Sequence, residues 1–252
     1  MAEWRKAAPG PFRRLGTITG FLRDSALDAH DLVETAPRTV RPPAPPPRAE
    51  GVALPPPGGS LGGSTTLDEV RAARTSAWPD AGRPPLTATE VATLLHAVFG
   101  PPTPDARDAD RRGYPSPGRA YAVEPWVWAP SVSPGTVGPY DPASRTLVTD
   151  VPTSVAGIDA LTPSTRFGQS TFATAGLVVF LVGRVPALHP RYGALALRLL
   201  LLEAGHVGSA LQTAATALRR SSMPLGGFFD RLVTEELRLR DGEHCLYVWS
   251  IG

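Results

Sequence analysis

Residues 191–207 read RYGALALRLLLLEAGHV, and the fold turns on what this stretch becomes. It is the most apolar part of the chain, yet it opens on Arg191-Tyr192 and closes on Glu203 and His206. A helix apolar on every side must be covered on every side. One long central helix is therefore expected over residues 190–220. Glu203 and His206 lie three apart and so share a face, where they can pair. Both are expected as satisfied core groups, with a proton-shuttling His206 as the chemical alternative.

Outward from this helix, GLVVFLVGRV (176–185) predicts a buried strand, GGFFDRLVTEELRL (226–239) an amphipathic helix and EHCLYVWSIG (243–252) a closing strand. Upstream, residues 66–74 predict a short helix with Leu67 and Val70 on one face. Residues 86–100 predict a clearer one, capped by Thr87 or Thr89 and stopped at Gly100 by two prolines. AYAVEPWVWA (120–129) reads as a strand that Pro125 should confine to an edge or a bulge, and RTLVTDV (145–151) as another. Residues 21–34 could make a short amphipathic helix. Helices come first and strands and helices then mix without βαβ alternation, which gives an α+β fold. Nine prolines within residues 37–60 favour an extended linker or wrapping arm. The chain thus divides into 1–60 and a globular domain over 61–252.

Composition removes several functions. A formal charge of +2 without a clustered basic face gives no footprint for nucleic acid. Cys245 alone excludes an internal disulfide and points to a reducing, cytoplasmic setting. The apolar runs are broken by Arg184, Arg198 and Glu203, short of the about 20 residues that span a bilayer. The first residues lack an apolar core segment, so no signal peptide is expected there. The five histidines lack metal-ligand spacing, so no metal is expected. Ser116 sits in no nucleophile elbow, and neither a phosphate loop nor a dinucleotide fingerprint occurs.

What remains is a set of short pieces in order: Arg74-Thr75-Ser76; Pro115-Ser116-Pro117-Gly118 running to Tyr121; Arg191-Tyr192-Gly193; Glu203-Ala204-Gly205-His206; and Pro224-Leu225-Gly226-Gly227-Phe228-Phe229-Asp230. Together they resemble the flavin-dependent dehydrogenases of the nitroreductase superfamily, particularly the streptolysin-type (SagB-type) azoline dehydrogenases, from about residue 52 to the end. The chain departs from that pattern at Thr75, Trp78, Ala122 and Ser209-Ala210, the last where Gln-Asn is usual.

The resemblance implies an antiparallel sheet flanked by helices, a domain-interlocked homodimer, and FMN at its interface. It implies FMN contacts from Arg74, Ser76, Pro115, Ser116, Gly118, Gly226 and Gly227. An arginine suits a phosphate, glycine lets a backbone approach a flat ring, and the paired glycines could offer N–H groups to an anion. By themselves Arg74 also fits a solvated helix end, and the glycine segments fit ordinary loops. The family's Lys-Tyr becomes Arg191-Tyr192. Turning an azoline into an azole removes a proton and a hydride, and a tyrosine takes the proton best with a cation beside it. Tyr192 is expected as base and Arg191, which cannot exchange protons, as its electrostatic helper; a packing role for Tyr192 stays open.

The implied activity is FMN-dependent oxidation of thiazolines or oxazolines in a ribosomally made peptide, in a thiopeptide-like pathway and in possible complex with a cyclodehydratase. The alternatives are a nicotinamide-dependent nitro or quinone reductase and a flavin-free scaffold for a peptide-modifying complex.

Overall fold

A computed structural model describes residues 20–21, 51–59, 61, 63, 65–101, 111–149, 151–163 and 172–252. Apart from Phe21, the helix expected over 21–34 lies outside them, as does most of the proline-rich segment.

The strands are β1 (Gly51–Ala53), β2 (Val123–Trp128), β3 (Thr136–Asp141), β4 (Thr146–Val148), β5 (Val151–Pro152), β6 (Leu177–Arg184), β7 (Ser222–Leu225) and β8 (Glu243–Ile251). They pair antiparallel in the order β1-β4-β3-β2-β6-β8-β7, with β5 also on β3. The helices are α1 (Leu67–Ala73), α2 (Ala88–Phe99), α3 (Val155–Asp159), α4 (Val185–Tyr192), α5 (Ala196–Ala217) and α6 (Asp230–Glu236). This is the expected α+β architecture, with an antiparallel sheet between helices.

Alternation along the strands builds the layers. Val179 and Leu181 of β6, with Val123 and Val127 of β2, meet α2 and α5 in one core. Val178, Phe180 and Val182, with Trp126 and Trp128, meet Ile158 of α3 and Val233 of α6 in the other. β6 is apolar at both parities because both its faces are covered. Residues 66–74 and 86–100 fold as expected: Thr66 with Glu69 and Thr87 with Glu90 form reciprocal caps on α1 and α2. Arg220, just after α5, closes on Glu90 through two nitrogens.

Two expectations change. Pro125 is neither at an edge nor in a bulge: β2 lies between β3 and β6, and Pro125 stands opposite Leu181 in an unbroken ladder. Backbone donors alternate sides along an antiparallel strand. Val123 donates away from β6, to Glu203. The nitrogen of Pro125, two residues on, faces the same way, where the ladder with β3 covers only Trp126 and Val127. No sheet bond is lost.

The long helix also divides. Helix α4 begins directly after β6 and ends at Gly193, whose φ of 51° and ψ of −134° leave helical space; α5 starts only at Ala196. Nor is α5 covered on every side. Leu200, Ala204, Val207 and Leu211 are buried, while Leu201 and Leu202 stay 44% and 55% exposed and continue into exposed Gly205, His206, Ser209 and Thr213. By length and composition the helical run Val185–Ala217 would pass for a bilayer span, contrary to the sequence count. Such a run is equally what a core helix presents, and the buried stripe of α5 packs on the sheet. β3 and β7, each carrying a proline, and β1 carried no readable strand pattern.

Candidate active site

The site is built where the loop before β2 meets α4 and α5. Residues 117–119 form a single 3₁₀ turn, and its backbone is unusual: φ is 55° at Gly118, 59° at Arg119 and 46° at Tyr121. Left-handed backbone at non-glycine residues is costly and lasts only where the surroundings impose it. Here they do. The Tyr121 N–H donates to Ser116 Oγ at 2.7 Å, and the Arg112 N–H donates to the Tyr121 hydroxyl at 3.0 Å. The Arg112 guanidinium carbon lies 4.9 Å from the Tyr121 ring centroid, and the Tyr114 ring meets that ring edge-on at 5.6 Å.

Below the turn stands Glu203, 0% exposed. Its Oε2 accepts the Ser116 hydroxyl at 2.8 Å and its Oε1 the Val123 N–H at 2.9 Å. Burial pushes this carboxyl above the ordinary carboxylate range, and the bonds from Val123 and Ser116, with Arg112 nearby, draw it partly back. Glu203 is thus buried as expected but not paired with His206, which faces outward. One of its oxygens serves the loop and the other the start of β2 instead, because α5 turns this position towards the sheet. His206 is therefore no core histidine.

A raised carboxyl pKa means that the folded chain holds the proton more tightly than the unfolded one. The stability it contributes is full below the unfolded value of 4.5 and is lost as pH rises through the folded value. Glu203→Gln cannot ionise, so its melting temperature should fall less than the wild type's between about pH 4 and pH 8. Calorimetry over that range checks this, and parallel curves would refute it.

Arg191 and Tyr192 close the other side of the turn. A Cβ built on Gly118 would lie 2.5 Å from both Arg191 Nη1 and the Tyr192 hydroxyl. Glycine suits this position twice over, since its backbone is left-handed and the tips of these two side chains approach it closely. The Arg191 guanidinium carbon is 5.1 Å from the Tyr192 ring centroid. Five expected or conspicuous groups therefore converge: Ser116, Gly118, Arg191, Tyr192 and Glu203.

The others stand apart. Arg74 follows α1, exposed and without a hydrogen bond or ion pair among the described residues. Ser76 is reached by Gln212 Nε2 at 3.2 Å, and the same nitrogen lies 3.4 Å from the Thr75 carbonyl. Gln212, which the sequence reading passed over, thus ties this segment to α5 although Gln-Asn is lost at 209–210. From Glu203 to Gln212 the helix rises about 14 Å. Gly226 and Gly227 are exposed, with open space beside each Cα, between β7 and the seven-residue α6. They sit in a strand–helix loop that ends before α6 begins, with β6 and β8 between β7 and β2. A surface cavity of about 380 Å³ opens beside Tyr114, Pro115, His206, Ser209 and Thr213.

Arg112, Tyr121 and Glu203 were missed or misassigned from sequence. The signal that could have marked Glu203 is an acid in a run of leucines, since a buried carboxylate needs donors.

The fold has counterparts. The structure resembles a crystal structure of a nitroreductase-type protein from Ralstonia eutropha, with a TM-score of 0.64 at 18% identity, covering 87% of this chain and 96% of that one. It also resembles a chain of the Escherichia coli microcin synthetase McbBCD complex with truncated pro-MccB17 bound, with a TM-score of 0.61 at 18% identity, covering 94% and 91%. In sequence it is 27% identical over 173 residues to a Methanocaldococcus jannaschii protein assigned as a nitroreductase, covering 67% of this chain and 81% of that one. The model of the nitroreductase family matches residues 83–252, two-thirds of the chain and all five of the converging groups, and the chain belongs to that family of oxidoreductases.

Proposed function

We propose that this protein is an FMN-dependent dehydrogenase that oxidises thiazolines or oxazolines to thiazoles or oxazoles in a ribosomally made peptide. The observation that carries the reading is the Arg191–Tyr192 pair, held with its phenol against the strained turn at Gly118. Likeness over nearly the full length to a chain of a peptide-bound microcin synthetase complex supports it, and also supports partner proteins such as a cyclodehydratase.

The residues fit FMN. Exposed Arg74 offers a cation for a phosphate. The cavity beside Pro115 falls within the usual volume of a small-molecule site. Gly226 and Gly227 leave backbone free for close approach. These residues with Ser76 and Gly118 would hold the group, which when bound accepts a hydride. The chain's own contribution is at Tyr192: its phenol oxygen takes the proton from the ring carbon, with the Arg191 guanidinium beside the ring as the neighbouring cation. Ser116 is committed to Glu203 and Tyr121, so it shapes the turn.

The active unit in this reading is a homodimer. Leu201 and Leu202 need a cover, and both the Gln212–Ser76 contact and the cavity at Pro115 border the same exposed face of α5. A twofold pairing on that face puts Arg74, Ser76 and the turn at one interface.

The test is to reconstitute the protein with FMN and incubate it in air with an azoline-bearing peptide. Each ring should lose one H₂ by mass. Unchanged rings together with brisk nicotinamide-driven nitroaromatic reduction would assign a nitroreductase instead. A protein that takes up no flavin would be a scaffold.

A further inference from the structure

We infer that Glu203 is a positioning residue: acting through Ser116, its buried carboxylate holds the left-handed 118–121 turn against the Tyr192 hydroxyl. The inference rests on reading Tyr192 as the base. Among its buried helix neighbours Leu200, Ala204 and Val207, a further aliphatic residue would pack well. A carboxylate there is costly unless its oxygens are satisfied. Both are, by donors from separate segments: the Ser116 hydroxyl in the loop and the Val123 N–H at the start of β2.

The loop needs such a tether. Arg119 and Tyr121 both adopt left-handed backbone, and two such residues so close relax unless held. The Ser116 oxygen is the hinge of the tether. It accepts from the Tyr121 N–H while its own hydrogen goes to Glu203. Relaxation of the turn would move Gly118, and with it the surface that the tips of Arg191 and Tyr192 approach, since a Cβ there would meet both.

Helix α5 is the fixed reference in this device, 22 residues long and packed on the sheet. Helix α4, which carries Arg191 and Tyr192, joins α5 through Gly193 at φ 51° and a short 3₁₀ turn. That joint does not extend the rigid α5 into α4: Ala187 and Leu188 seat α4 in the core and Tyr192 packs its ring there, while the turn meets the tip of the phenol at its hydroxyl. Glu203 thus reaches the base through the loop, not along the helix.

The experiment labels the five tyrosines of the full-length, FMN-reconstituted protein with carbon-13 at Cζ and assigns Tyr192 by its loss in Tyr192→Phe. In Ser116→Ala and Glu203→Ala the Tyr192 signal should move. Azoline turnover should fall about tenfold, with KM within about twofold, as for a base displaced by a fraction of an ångström. Glu203→Gln should recover most of the loss, because its carbonyl accepts from Val123 and its amide donates to Ser116. Should Glu203→Ala fail to fold, Ser116→Ala, which deletes one hydroxyl, still decides. A Tyr192 signal in folded Ser116→Ala that coincides with the wild type's overturns the inference. If the wild type oxidises no azoline, the reading of the base fails, while the tyrosine signals still answer for the positioning.

Discussion

Tyr192→Phe should keep its FMN and lose azoline oxidation by about a hundredfold or more, the usual contribution of a general base. The substitution removes one oxygen and little else. The phenyl ring keeps its packing against the core, and the Arg191 guanidinium, 5.1 Å from the ring centroid, keeps a π face to rest on. Of the residues that would hold FMN only Gly118 adjoins the lost hydroxyl, and it would offer backbone that the substitution leaves in place, so flavin content, read from visible absorbance, should match the wild type's. The loss should therefore fall on turnover and not on cofactor or peptide binding. Arginine in place of the family's lysine makes the assignment sharper, since Arg191 cannot stand in as a proton acceptor. Near-normal turnover in this variant would return Tyr192 to a packing role.

Leu201→Asp with Leu202→Asp should give a monomer that binds little FMN. Burying a leucine fully is worth about 1.5–3 kcal/mol, so covering the exposed half of one contributes about 1 kcal/mol. Each copy brings two, at 44% and 55% exposure, so a twofold pair covers four and loses about 4 kcal/mol without them. That alone weakens dimerisation by about a thousandfold. Carboxylates buried without partners add to the penalty. The folded chain should tolerate the change, because both side chains already face outward. Light scattering reads the mass and absorbance the flavin; an intact flavin-bearing dimer would show that another face pairs the copies.

Much of the fold was legible because local rules and tertiary packing agreed. The Thr87–Glu90 cap and the Gly100 stop bound α2, and the unbroken apolar run of β6 declared a strand covered on both faces. Pro125 was misread because its cost depends on whether a neighbouring strand reaches its nitrogen, which is a matter of sheet order. The start of α5 was misplaced because one residue, Gly193, breaks a helical run whose composition gives no other sign. The order of the motifs pointed to the family and to Arg191 and Tyr192, but motif order carries no distances.

From sequence alone, then, came the α+β class, the two capped helices, the central strand and the residue pair at the mouth of the long helix. All of these depend on neighbours along the chain. Only the tertiary structure decided that Glu203 serves Ser116 and Val123 instead of His206, that Gly118 makes room for Arg191 and Tyr192, and that α5 keeps an uncovered apolar stripe. Glu203 lies 87 residues from Ser116, and no periodicity can say which of two distant donors a buried oxygen will meet.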